Sequence, residues 1–318
     1  MTTPFIATFS VENAHESDVY ALATCPLFTV AGSGDGNISM WDNRKPSESP
    51  ALLTAQPVRA GIHHLSVDKG GNYAVAVAFD GSVLAFDLKE HKQLDIVKST
   101  AEIKGAWGCA VSGNLAAICA LQGDITVINL ESNEIVAVLG EPMSSIDVKR
   151  QPCLCVDISQ DGKYVVGGYD TGKARVFSVE TGRISYSLPS HITRPRCIKF
   201  NQQVTMVAVT GDASIALFTL SGGSYVGSIL GHDSFIYDID FEEDGQRLLS
   251  VAGDGKAKIW ALDTREAKFT TGDSNAPLFA CAWVPERTTI IGGAPAGVVT
   301  AGVDRCLRWY REASGSDL

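Results

Sequence analysis

Gly231-His232-Asp233-Ser234 opens a stretch whose next run is Ile236-Tyr-Asp-Ile-Asp-Phe241. The turn Glu243-Asp-Gly245 reverses the chain, and Leu248-Leu-Ser-Val-Ala252 then leads into Asp254-Gly-Lys-Ala-Lys-Ile-Trp260. The apolar runs have the length and β-branched content of short strands, and Asp-Gly between two such runs predicts a hairpin. Three strands in thirty residues, the last ending on a large aromatic, make a unit too small to bury its own faces. A unit of that kind has to repeat.

It does. The closing aromatic or large aliphatic residue recurs at Trp41, Phe86, Ile128, Phe177, Phe218, Trp260 and Tyr310, at intervals of 45, 42, 49, 41, 42 and 50 residues. Asp35, Asp80, Asp212, Asp254 and Asp304 stand six residues before their markers; Asp170 stands seven before, and Gln122 fills the place in the third unit. Upstream of each aspartate lie two further β runs, with Gly70-Gly71 and Asp161-Gly162 marking the same turn as Asp244-Gly245. Each unit reads as about four short strands. No helical period is visible, which excludes leucine-rich and tetratricopeptide solenoids.

Gly231-His232, Ser250, Asp254 and Trp260 resemble the Gly-His, Ser, Asp and Trp of the WD-repeat family. His15, Asp35 and Trp41 match it in part, as do His191, Asp212 and Phe218. The resemblance implies an all-β, seven-bladed propeller as one unit over residues 1–318. Phe5 to Phe9 form a strand before the first unit, and the last unit lacks an outer strand after Tyr310. The first strand is therefore expected to complete the last blade and close the ring, which removes open sheet edges.

The composition narrows the function classes. Of 318 residues, 36 are acidic and 26 basic, a net charge of −10, which argues against affinity built on phosphate neutralisation. No basic leader precedes an apolar stretch, and the longest apolar run, Leu115 to Leu121, is far short of a membrane helix. Eight cysteines lie mostly in apolar runs without Cys-x-x-Cys spacing, so they read as small core residues of a reduced, intracellular protein. Cys153 and Cys155, two apart, are expected on one strand face.

Catalysis has no footing here. His15, His191 and His232 occupy the repeat's own histidine place, where the ring is expected to bond the turn aspartate of its blade. No zinc-protease helix, nucleophile elbow or phosphate loop occurs, and Gly32-Ser-Gly-Asp-Gly36 precedes a strand rather than a helix. No metal, cofactor or catalytic residue is assigned.

A binding signature is present instead. The residue five beyond the repeat's histidine place should face the narrow end near the channel. Across seven units it is Tyr20, His63, Trp107, Leu154, Arg196, Tyr237 and Phe279; two positions earlier stand Arg194 and Phe235. Aromatics and arginines in one ring have the composition of a protein-interaction hot spot. Tyr20, Trp107, Arg194, Arg196, Phe235, Tyr237 and Phe279 are the candidate partner-binding residues. Trp283 falls on an inward position, like Phe200 and Phe241, and reads as packing.

The segment Val303-Asp-Arg-Cys-Leu-Arg-Trp-Tyr-Arg-Glu-Ala-Ser-Gly315 resembles the ending of the fungal WD-repeat subunit of the superkiller complex. The sixth unit and Trp107 are similar too. That resemblance implies a non-catalytic scaffold holding a tetratricopeptide subunit and an RNA helicase for exosome-dependent decay of messenger RNA. It also implies a second role beside the enzyme that makes meiotic double-strand breaks, hence cytoplasmic and nuclear settings. Relatives occur in a transcription-elongation complex. Trp41-Asp-Asn-Arg44 has the form found in substrate receptors of cullin-type ubiquitin ligases, with Arg44 meeting the adaptor, and an aromatic-lined channel also fits a methyl-lysine reader.

Overall fold

Strands of five or six residues, apolar on both faces, must be covered on both sides. The chain satisfies this by radial stacking. The computed structural model describes residues 5–45, 47–54, 58–140, 151–189, 193–272, 274–285 and 297–313. Among these, seven antiparallel four-stranded sheets form the blades of a β-propeller. Blade 1 runs outward through Val19–Thr24, Phe28–Ser33, Ile38–Asp42 and Ala51–Leu52. The inner strands of the next five are Ile62–Val67, Ala106–Ser112, Cys153–Ile158, Cys197–Phe200 and Ile236–Phe241, each followed by three strands in simple meander order.

Blade 7 takes Leu278–Val284, Gly297–Gly302 and Leu307–Glu312 from the end of the chain and its outer strand, Phe5–Val11, from the beginning. Phe5 lies opposite Glu312 and Val11 opposite Leu307. The two ends of the sequence thus share one sheet, and the ring is closed as expected. The first strand runs two residues further than its apolar run suggested, through Ser10 to Val11.

The repeat markers fill the seams between blades. Trp41, Phe86, Ile128, Phe177 and Phe218 are fully or almost fully buried, as are Trp260 and Tyr310. Seven separate core clusters result, each shared by neighbouring blades; Trp41 of blade 1, for example, meets Trp309 of blade 7 at 6.5 Å. Burying one such side chain stabilises by roughly 1.5–3 kcal/mol.

Two details depart from the sequence reading. A single helical turn, Val97–Thr100, lies between blades 2 and 3, too short to leave a period. Cys153 and Cys155 do not share a face: Cys153 packs in the cluster with Ile125 and Phe177, Cys155 in the next one with Ile198 and Phe200. A bulge between them shifts the register by one residue and breaks the alternation.

Candidate partner-binding face

The same bulge recurs in six inner strands. The ladder skips one residue between Val19 and Ala21, Ile62 and His64, Ala106 and Gly108, Cys153 and Cys155, Ile236 and Asp238, and Leu278 and Ala280. The skipped residues are Tyr20, His63, Trp107, Leu154, Tyr237 and Phe279. In blade 5 Arg196 stands just ahead of the strand, its N–H donated to the Thr210 carbonyl at 2.8 Å. A residue left out of the ladder is free to turn away from the seam. All seven line one open cavity of about 580 Å³ at the mouth of the channel.

The rings touch in sequence. Arg196 lies over Phe235 and Tyr237, 4.6 and 5.3 Å from the ring centres. Tyr237 meets Phe279 edge-on at 5.0 Å, Phe279 stacks on Tyr20 at 5.2 Å, and Tyr20 meets Phe79 edge-on at 5.3 Å. Phe79 then contacts His63 at 4.7 Å, and His63 contacts Trp107 at 4.6 Å. The result is a collar of mutually supported rings, each pair adding roughly 0.5–1.5 kcal/mol. Burial pushes His63 down to about 4 and His64 beneath it to about 3, so both are neutral at pH 7.

Sequence reading missed Phe79, which is 45% exposed and joins blades 1 and 2 of the collar. The signal was available. The residue before the turn aspartate is glycine in units 1, 5 and 6, and a Cβ on Gly34 or Gly253 would crowd Ser17 or Ser234 and meet Tyr20 or Tyr237 of the same blade. Only the second unit has Phe there, beside the smaller His63.

Arg194 lies on the same face, yet its guanidinium is bonded to Asp170 of blade 4. Arg196 is the exposed collar cation, its guanidinium lying over the Phe235 and Tyr237 rings.

Behind this face the repeat residues knit each blade. His232 Nδ1 is 2.9 Å from Asp254, its Nε2 is 2.8 Å from Ser250 Oγ, and Trp260 Nε1 donates to the same Oγ at 2.8 Å. Serine, histidine and aspartate in this order have the contacts of a hydrolytic triad, but Ser250 is fully buried and its oxygen is taken by Trp260. Substrate has no access, so the arrangement is a brace. In blade 1 His15 bonds Asp35 at 3.2 Å, and Ala31 stands where blade 6 has Ser250. His191 lies outside the described residues; Thr193 donates to Asp212 at 2.6 Å, and Ser274 donates to Asp304 at 3.2 Å. Among the described residues Asp80 accepts from Ser82 within its own turn.

The family model for the WD domain, G-beta repeat, matches residues 5–42 and 223–261, the first and sixth units with their braces. The chain carries WD repeats. This WD-repeat chain is similar to the meiotic recombination protein rec14 of Schizosaccharomyces pombe, 28% identical over 315 residues covering 99% of each chain. It is also similar to the antiviral protein SKI8 of Saccharomyces cerevisiae, 23% identical over 99% of this chain and all of that one. A more partial likeness, 25% over 49% of this chain and 31% of the relative, is to the WD repeat-containing protein slp1 of S. pombe.

Below the collar, the channel of the WD-repeat protein carries charge that sequence reading did not single out. Lys199 faces Asp157 of blade 4 and Asp238 and Asp240 of blade 6. Burial pulls its ammonium pKa down, but those carboxylates and Cys197 outweigh it and hold the pKa above the usual lysine value. Asp157 accepts from Phe200 N at 2.8 Å, Asp238 from Cys281 N at 3.0 Å and Asp240 from Trp283 N at 2.8 Å, each on the next blade. Burial pushes Asp238 up to about 6 against the pull of Lys199. Among the described residues no group of three or more His, Cys, Asp or Glu is placed to hold a metal ion.

Proposed function

We propose that this protein is a non-catalytic scaffold that seats a short segment of a partner on the collar. Its place is in an assembly of a tetratricopeptide subunit and an RNA helicase that serves exosome-dependent messenger RNA decay. The observation that carries the reading is the collar itself, six bulged residues and Arg196 brought to one rim, with the rings of Tyr20, His63, Trp107, Tyr237 and Phe279 held by ring-to-ring contact. A preformed aromatic rim binds without first ordering its side chains. Its apolar surface suits an aliphatic or aromatic anchor, and Arg196 offers a planar fork to a carboxylate or carbonyl. Full-length similarity to SKI8 and rec14 supports a scaffold in messenger RNA decay and in meiotic recombination, and meiotic double-strand-break formation is the second setting in this proposal.

The other readings have less support. Arg44 is gripped by Asp42 of its own turn, with Nε at 2.9 Å, and so presents an occupied guanidinium to a ligase adaptor. The collar rings stack on one another and on Arg196 rather than standing apart as the walls of a cage for a methylated ammonium. The test is purification of the tagged chain from its own cells with mass spectrometry of what accompanies it. Recovery of the tetratricopeptide and helicase subunits supports the proposal; recovery of a cullin adaptor, or of elongation factors alone, overturns it.

A further inference from the structure

Two places in each blade meet at the collar face. One is the residue two ahead of the collar position; the other precedes the turn aspartate, or Gln122 in blade 3. In blade 6 these are Phe235 and Gly253, and the Gly253 N–H donates to the Phe235 carbonyl at 2.9 Å. Blades 2 and 3 reverse the order. Gly61 and Gly105 hold the first place and Phe79 and Leu121 the second, with Phe79 N 3.1 Å from Gly61 O and Leu121 N 2.9 Å from Gly105 O. Both glycines have positive φ, 74° and 65°, which favours a residue without a Cβ. A glycine at one place leaves the large side chain at the other uncovered: Phe79 is 45% exposed, Leu121 40% and Phe235 47%. In the other four blades neither place carries an exposed large apolar residue.

The three side chains stand at two poles. Inner strands touch in chain order around the ring, and blade 7 meets blade 1, so blade 6 lies across the mouth from the seam between blades 2 and 3. Each pole is continuous with the collar, Phe79 through the Tyr20 and His63 rings and Phe235 through the Arg196 guanidinium over its face. Trp107 of blade 3 and Tyr237 of blade 6 line the mouth along the same diameter.

We propose that the partner segment crosses the mouth along this diameter, with one apolar side chain seated on Phe79 and Leu121 and a second on Phe235. This crossing rests on the collar being the docking site and adds to it a direction and a second anchor. Single exposed apolar residues are ordinary on a protein surface. Poles on opposite sides of one mouth call for an occupant long enough to touch both. A small molecule in the cavity meets Phe79 and Leu121 but not Phe235, which lies outside the lining. A peptide chain laid over the cavity meets all three, and each end then holds an anchor of its own.

The test measures binding of the purified tetratricopeptide subunit to the full chain and to its Leu121→Ala, Phe235→Ala and Leu27→Ala variants. All three side chains are exposed, so the melting temperatures should stay level. Leu27 serves as control, because its turn between Val19–Thr24 and Phe28–Ser33 lies at the opposite end of the propeller. Each pole variant is expected to weaken binding about tenfold, the double variant about a hundredfold because distant sites add, and Leu27→Ala not at all. Benzoylphenylalanine placed at position 121 or at position 235 should photo-cross-link to one and the same stretch of the subunit. The crossing is overturned if either pole variant binds like the parent, if Leu27→Ala weakens binding equally, or if the two cross-links map to separate segments. The collar reading survives that failure as long as a Trp107→Ala, Tyr237→Ala variant loses binding. A subunit that ignores the parent chain overturns both. Sedimentation of a dimer that the pole variants dissolve gives the poles to a second copy and equally overturns the crossing.

Discussion

Arg247 of blade 6 bonds Glu312 of blade 7, and Glu312 lies opposite Phe5 in the closing sheet. The same guanidinium donates Nε to Glu242 at 2.6 Å and lies 5.6 Å from the centre of the Phe5 ring and 5.2 Å from Trp283. One side chain thus ties blade 6 to both ends of the chain. Arg247→Ala is expected to cost about 2 kcal/mol, the lower range for a partly exposed pair that loses one partner. Deleting residues 1–10 should lower the melting temperature of the whole protein. A deletion variant that melts like the parent would show that the first strand does not close the ring.

Blade 1 lacks the hydroxyl that completes the brace in blade 6. Among the described residues Trp41 Nε1 and His15 Nε2 are buried without a hydrogen-bond partner, and the residue in the place of Ser250 is Ala31. Ala31→Ser should let one hydroxyl donate to His15 and accept from Trp41, raising stability by about 1 kcal/mol. Chemical denaturation measures this; a variant no more stable than the parent contradicts it.

Lys199 is the counter-charge for three carboxylates on neighbouring inner strands. Lys199→Met keeps the bulk and removes the charge, so it should destabilise by about 3 kcal/mol at pH 7. The penalty should shrink at pH 5, because Asp238, already pushed up to about 6, then takes a proton more readily. Equal stability of variant and parent at pH 7 would show that the carboxylates need no lysine.

Acid should weaken the protein from just below pH 6.5. His15, His63, His64 and His232 all have pKa values lowered by burial, with His63 at about 4 and His64 at about 3. Below 6.5 the unfolded chain therefore binds more protons, and stability falls as pH falls toward those values. Each fully shifted histidine contributes on the order of 1.4 kcal/mol per pH unit. Asp238, raised by burial from 3.8 to about 6, works in the opposite direction, as do Asp157 and Glu242, whose carboxyls burial also raises, but these are three groups against four. Denaturation midpoints at pH 7 and pH 5 decide it; a midpoint that holds or rises at pH 5 contradicts the assignment.

The repeat was legible because each blade has to bury a large residue at the same seam, so Trp41, Phe86 and their counterparts recur at blade spacing. The collar ring was legible for the same reason, by aligning blades. What escaped depends on neighbours about forty residues apart. Phe79 joins the collar only because blade 2 abuts blade 1. The bulge that parts Cys153 from Cys155 defeats simple alternation. All of the channel cluster but Asp238 lies at one aligned position, where Ala23, Ser66, Ala110 and Ala282 are small while Asp157, Lys199 and Asp240 are charged; that contrast was readable. Its meaning needed the ring, which sets blades 4, 5 and 6 side by side.

The most direct test of the scaffold reading is the affinity of the tetratricopeptide subunit for a Trp107→Ala, Tyr237→Ala double variant. Both side chains are only half-buried, so the fold and melting temperature should change little. Loss of two anchors worth about 2 kcal/mol each should weaken binding about a thousandfold. A folded double variant that binds as tightly as the parent would contradict the collar as the docking site.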